Sequence, residues 1–121
     1  MPPIRIIIFG CGAAGRTAFR LLHKRCAVLA FSDNNRDLHG TTLLGIRIVA
    51  PTAIAEIDYD RIVIASMYHR EIRDQLVKEL GISPRFIELA PSQVSRPKAG
   101  SREVQFVRSS SLASTRTSGI G

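Results

Sequence analysis

The stretch that decides the fold is Ile4-Arg5-Ile6-Ile7-Ile8-Phe9-Gly10-Cys11-Gly12-Ala13-Ala14-Gly15. Its first half is β-branched and almost continuously apolar, the pattern of a strand covered on both faces. Its second half fits G-x-G-x-x-G and stands between that strand and the amphipathic stretch Arg16 to Arg25. There Ala18, Leu21 and Leu22 form one helical face, and Arg16, Arg20 and Lys24 another. A strand, a glycine turn and a helix in this order have a specific physical use. The first glycine makes the tight turn, the second lets a phosphate group approach the backbone, and the third lets helix pack on strand. The unpaired amides of the helix start then face the phosphates.

Outward from this motif the chain alternates strands with helices. Ala27 to Phe31 is a second buried strand, closed by the turn-forming cluster Ser32-Asp33-Asn34-Asn35. A glycine-bracketed excursion, Gly40 to Gly45, leads into a short third strand at Ile46 to Val49. Pro51 starts a small helix over Thr52 to Glu56. Arg61 to Ala65 is the fourth strand and His69 to Leu80 the second long helix, with Ile72, Leu76 and Leu80 on its apolar face and Gly81 as C-cap. Arg85 to Leu89 is a fifth strand. The order predicts an α/β, Rossmann-like fold: a mainly parallel open sheet of about five strands with flanking helices.

Two domain-level readings follow from composition. The 121 residues suffice for one core, and 45% hydrophobic with 22% charged residues is ordinary for a globular chain. Residues 1–90 are the expected nucleotide-binding domain. Residues 91–121 carry eight serines, and five basic side chains against one acid, more than half of the net charge of +7. They read as a basic, Ser-rich, mostly disordered tail, with Val104-Gln105-Phe106-Val107 as a candidate lone strand. A basic tail of this kind is a solvated segment more often than a nucleic-acid footprint, so nucleic acid is not an expected partner. No apolar run reaches the length of a membrane span, and Ile4 to Phe9 is too short for a signal-peptide core. Two cysteines, Cys11 and Cys26, build neither a disulfide framework nor a zinc site, which points to the cytoplasm.

The expected cofactor-binding residues are Gly10, Cys11, Gly12, Ala13, Ala14 and Gly15 in the loop, Asp33 and Asn34 after the second strand, and Ser66 after the fourth. Asp33 lies 18 residues beyond Gly15, where a carboxylate accepts hydrogen bonds from a ribose 2′-OH. A carboxylate there repels a 2′-phosphate, which favours NAD over NADP even with Arg36 nearby. Each residue also has a plainer reading: the glycines as packing alone, Asp33 as a turn-former, Ser66 as a helix N-cap, Cys11 as a small buried residue rather than a reactive thiol. Tyr68 and His69 reach the same crevice, but no acid–base partner is visible. The Tyr-x-x-x-Lys pair of short-chain dehydrogenases is absent, because Ile72 stands four residues after Tyr68. His23 and His39 read as surface positions, without metal-ligand spacing.

Four segments together resemble a known family: Ile6 to Gly15, Ala30-Phe31-Ser32-Asp33-Asn34-Asn35, Leu38-His39-Gly40 through Ile48, and Tyr59 to Ser66. They are similar to the Rossmann-like domain at the front of polysaccharide-biosynthesis nucleotide-sugar epimerase/dehydratases. Related domains precede sugar O-acetyltransferases and FkbM-type methyltransferases. The chain departs from that pattern at Asn34, which replaces a second acid, at Arg36-Asp37, where a proline is usual, and at Arg47, also in place of a proline. The resemblance covers about residues 3–90 and implies a site for NAD, a nucleotide sugar or CoA at Gly10, Gly12, Gly15 and Asp33. The family's catalytic machinery lies in a following domain, so the resemblance implies binding without catalysis: an accessory or sensory module, alone or beside a catalytic partner domain. The alternatives are a non-catalytic part of such an enzyme, or a structural dimerisation domain with a vestigial loop. Removing residues 92–121 is expected to leave the melting temperature nearly unchanged, because the segment has little apolar area to bury. A large drop in a thermal scan would mean that Val104 to Val107 completes the core.

Overall fold

The computed structural model describes residues 2–91. Met1 and residues 92–121 lie outside this description, and the expected tail and its Val104 to Val107 patch lie there with them. Six strands form one sheet: β1 (Ile4–Phe9), β2 (Cys26–Ser32), β3 (Thr42–Leu43), β4 (Ile46–Val49), β5 (Arg61–Ile64) and β6 (Ile87–Leu89), in the spatial order β3-β4-β2-β1-β5-β6. All neighbours pair in parallel except β3, which runs antiparallel to β4 at the edge. The sheet is therefore α/β and Rossmann-like, with one strand more than the five expected. The extra strand is the two-residue β3. Leu44 and Gly45 link it to β4 with φ of 54° and 81°, the backbone of a two-residue hairpin turn.

β1 lies at the centre and feeds both cores by alternation. Ile6 and Ile8 face one side, where they meet Ala18, Leu22, Phe31, Ile48 and Val63. Ile7 and Phe9 face the other, among Ile54, Ile62, Ile64, Ile72 and Leu76. The first side is covered by helix α1 (Ala13–Leu22), the second by helix α2 (His69–Asp74) and the 3₁₀ turn Pro51–Glu56. α1 starts three residues earlier than the expected Arg16, since Gly12 is extended and Ala13 and Ala14 are strong helix formers. Just past its end at Leu22, the His23 amide still bonds to the Phe19 carbonyl at 2.8 Å, its Nδ1–H donates to the same oxygen, and its ring stacks on Phe19 at 4.9 Å.

Three boundaries differ from expectation for local reasons. The second long helix is α-helical only to Asp74 and continues as a π-helical turn, Gln75–Glu79. Gly81, at φ 68°, then reverses the chain so that the Ile82 amide bonds to the Leu76 carbonyl. The fifth expected strand loses its start to a 3₁₀ turn at Pro84–Phe86, set by the proline at its first position. In β2 the register steps from Ile6–Val28 to Ile7–Ala30 and leaves Leu29 as an extra, bulged residue. Cys26 and Val28 pack toward α1, and after the bulge it is Phe31 that does so. The bulge thus shifts the alternation by one and sets Asp33, two residues beyond Phe31, on the α1 side.

At the opposite end of the sheet Arg5 fastens β1 to the start of β5. Its backbone amide and guanidinium both donate to Asp60, at 2.8 and 3.1 Å, and Nη1 donates to Asp58 at 2.7 Å. The guanidinium and the amide of Arg5 hold the Asp60 carboxyl below the ordinary carboxylate range. A depressed folded-state value stabilises the fold above the unfolded value, and the contribution is lost as pH falls through the folded one. The melting temperature should therefore fall on acidification below about pH 4, and Asp60→Asn should flatten that part of the profile. Identical acid limbs in the two proteins would exclude this contribution.

Candidate functional site

An open cleft of about 350 Å³ lies over the carboxyl ends of the central strands. Phe9 ends β1 and Gly10 follows it, Asp33 and Asn34 come from the turn after β2, and Ser66 from the segment just after β5. Tyr68, Glu71, Ile72 and Gln75 of the second helical segment form the remaining wall. The chain winds outward from β1 through β2 to β4, then crosses back to β5 on the other flank of β1. This is the point at which open α/β sheets leave a crevice.

The glycine loop is held by backbone contacts. The Gly10 amide donates to the Ser32 carbonyl at 2.8 Å, and its φ of 124° lies where L side chains are rarely found. A Cβ on Gly10 would overlap the carbonyl oxygen of Ala65, and one on Gly15 would overlap the carbonyl oxygen of Gly10. Gly12 differs: a Cβ there meets nothing within 4 Å, and its φ of −85° suits any residue. Two glycines are thus required by packing, and the third leaves open space at the start of α1. No side chain caps that helix start, and its first turn carries no acid. Its amides therefore have no capping oxygen of the protein's own.

Asp33 is built into this arrangement. One carboxylate oxygen accepts the Cys11 amide at 2.9 Å, the other the Asn35 amide at 2.8 Å. The expected turn-forming role is real, and the same carboxylate also ties the glycine loop to the end of β2. Each oxygen keeps a second lone pair, and the side chain lines the cleft. His39 belongs to this network and is not simply a surface residue: its Nε2–H donates to the Asp33 carbonyl at 2.7 Å. Cys11 sits beneath, its thiol pushed up to about 12 by burial and by the Asp33 charge. That shift opposes the one a helix start would cause and keeps Cys11 protonated, which removes the reactive-thiol reading.

Asn34 spans the cleft. Its amide pairs reciprocally with that of Gln75, at 2.9 and 2.8 Å. Ser66 does not occupy the N-cap, which falls at Tyr68; its Oγ accepts the Tyr68 amide at 3.0 Å. Of the expected residues, Gly10, Asp33, Asn34 and Ser66 line the cleft together, and Cys11 adjoins it through Asp33. Gly12, Ala13, Ala14 and Gly15 are not among its lining residues and lie at the start of α1. Glu71 and Gln75 were not expected. Their signal was their spacing of three and seven residues from Tyr68, one helical face. His69 is not among the lining residues. Among the described residues, no cluster of three or more His, Cys, Asp or Glu could hold a metal ion, and no helix is long and apolar enough to cross a membrane.

A family model described as C2185-like, N-terminal, matches residues 3–88. The chain belongs to this family. No curated protein matches the C2185-like chain. Among solved structures it is similar to UDP-D-quinovosamine 4-dehydrogenase from Vibrio fischeri, with a TM-score of 0.54 and 23% identity over 72% of this chain and 75% of that one. It is also similar to RSP, a Rex-family repressor, with a TM-score of 0.54 and 17% identity, covering 73% of this chain and 52% of the repressor. The domain thus spans about half of that protein, which has also been solved with β-NAD⁺ and operator DNA. At these identities the likeness is one of fold, and the fold is Rossmann-like.

The two kinds of glycine should separate in unfolding experiments. Gly15→Ala is expected to destabilise the domain by roughly 1–3 kcal/mol, because the added Cβ must displace backbone. Gly12→Ala should stay within about 0.5 kcal/mol of the unaltered protein. Urea titrations giving equal losses at both positions would refute this division of roles.

Proposed function

We propose that the domain binds a nucleotide, with the nucleoside in the cleft and the diphosphate at the start of α1. The observation that carries this reading is the pairing of an open, uncapped helix start at Gly12 with a cleft that Gly10 of the same loop and Asp33 line. The cleft is near the lower end of ligand-site volumes, so it takes the nucleoside half of a dinucleotide rather than the whole molecule. None of the residues that line it is basic. A phosphate therefore belongs outside it, at the helix amides.

Asp33 is the group for the ribose. Its remaining lone pairs suit a 2′-OH, and its charge disfavours a 2′- or 3′-phosphate on the same ring. NAD and nucleotide sugars carry free ribose hydroxyls, and NADP and CoA do not carry both. NAD is the favoured cofactor, in keeping with the β-NAD⁺ and β-NADH complexes of the repressor of similar fold. A nucleotide sugar is the alternative, in keeping with the UDP-sugar dehydrogenase. The role that fits is that of an accessory or sensory nucleotide module, with a place in sugar or polysaccharide biosynthesis supported by the sequence resemblance, and with catalysis left to another domain or chain in the cytoplasm.

Calorimetric titration tests this reading. NAD is expected to bind more tightly than NADP. Gly12→Val should abolish binding in a folded protein, since a branched side chain fills the phosphate's space. Asp33→Asn should weaken NAD by roughly 1–2 kcal/mol and narrow the preference. Unaltered affinity in folded Gly12→Val would remove the diphosphate from α1, and tighter NADP binding would take Asp33 off the ribose.

A further inference from the structure

The charge of the cleft is uncompensated. Asp33 and Glu71 line it, and no basic residue does. The ion pairs of the described residues join Arg5 to Asp58 and Asp60, and Arg61 to Glu88, so neither cleft carboxylate takes part in one. Glu71 is exposed on the helical wall. Tyr68, on the same wall, is 61% exposed and offers a ring on which a guanidinium stacks. Two carboxylates beside an open aromatic face suit a cationic, extended segment.

The chain itself brings one to this end of the sheet. β6 runs parallel to β5, and the Ala90 amide donates to the Ile64 carbonyl at 2.9 Å. Pro91 is therefore reached at the carboxyl ends of the strands, where the cleft lies. Residues 92–102 hold Arg96, Lys98 and Arg102 and no acid. Lys98 stands seven residues past Pro91, up to about 24 Å of extended chain. β6 is two strand spacings, about 10 Å, from β1. Pro91 also lines a groove on the α1 side, with Ile4, Ile6, Leu22 and Val63. That groove is mostly apolar, and its carboxylate, Glu88, already holds Arg61 at 3.1 Å. Residues 92–102 have one branched apolar side chain, Val94, to place there. Their three cations match the cleft instead.

We infer that the segment Arg96 to Arg102 lies across the cleft of the unliganded chain, its cations against Glu71 and Asp33, and that a nucleotide entering the cleft displaces it. The contact stands on charge, topology and reach, and the displacement rests on the nucleotide reading above. Attachment through a short link gives the segment a high effective concentration at the cleft. A few exposed ion pairs therefore suffice to hold it, and salt weakens them. Ligand binding then releases a basic segment from the domain, a change that a partner of opposite charge can read.

Carbodiimide cross-linking of the full chain tests both claims, because the reagent joins lysine amines to carboxylates in contact with them. Lys98 is the one lysine past Pro91. Peptide mapping by mass spectrometry should find it joined to Glu71 or Asp33. The yield should fall severalfold at about 0.5 M salt, and again in a chain carrying both Arg96→Ser and Arg102→Ser. Lys98 joined mainly to Glu88 would place the segment in the α1-side groove and overturn the proposal. So would products spread over carboxylates outside the cleft, or the absence of a Lys98 product. The displacement is read by adding saturating NAD to a chain whose binding calorimetry has established, and the cleft product should then fall severalfold. An unchanged yield in a chain that binds NAD would overturn displacement. A folded chain that binds no nucleotide, yet still couples Lys98 to the cleft, would overturn the nucleotide reading and displacement with it, while the contact stands.

Discussion

Three backbone segments touch where the chain leaves the first strand, and the rest of the molecule is arranged around that contact. Gly15 rests against the Gly10 carbonyl, and Gly10 against the Ala65 carbonyl, with no room for a side chain at either point. The first contact seats α1 on the sheet, and the second draws the end of β5 alongside the loop. Once both are made, the loop amides, the Asp33 carboxylate and the α2 wall can face a common space. A close backbone approach of this kind is enforced by excluded volume, which is steep, so it fixes positions more tightly than side-chain packing does.

The two cores then divide the work. The core under α1 is built from alternate residues of β1 together with Phe31 and Ile48, and it supports the glycine loop and Asp33. The core under α2 contains Phe9, Ile72 and Leu76, so the helical wall of the cleft is anchored to the other face of the same strand. The bulge at Leu29 serves the first of these cores, to which Cys26 and Val28 contribute before it and Phe31 after it. By shifting the alternation of β2 it allows a strand with a mostly apolar sequence to deliver one carboxylate to the loop side.

Much of this was legible in the chain. The β-branched run Ile4 to Phe9 and the glycines after it identify the central strand and its turn, because only a few backbones accommodate that composition. What stayed hidden has physical reasons. The start of α1 is invisible because Gly15 reads as loop, although it sits inside a helix for the sake of contact with Gly10. β3 is two residues long, and its Leu-Gly turn lacks the usual Asn-Gly or Asp-Gly signal. The Leu29 bulge leaves no trace in an apolar run that has no alternation to interrupt. The π turn preserves the spacing of Ile72, Leu76 and Leu80, so periodicity cannot reveal it. The roles of His39 and Gln75 depend on partners that only the tertiary structure supplies: a backbone carbonyl six residues back in one case, a side chain across the cleft in the other.

The doubly bonded Asp33 has a thermodynamic consequence. A carboxylate held by two amides, with its own carbonyl pinned by His39, has already given up its rotameric freedom when the domain folds. A ligand that meets it has no side-chain entropy to remove at that point, so even a few contacts can yield useful affinity. The ordering was supplied during folding, by the same hydrogen bonds that fasten the glycine loop. In this small domain, recognition and stability therefore draw on one set of interactions, and a substitution that weakens either will be felt in both.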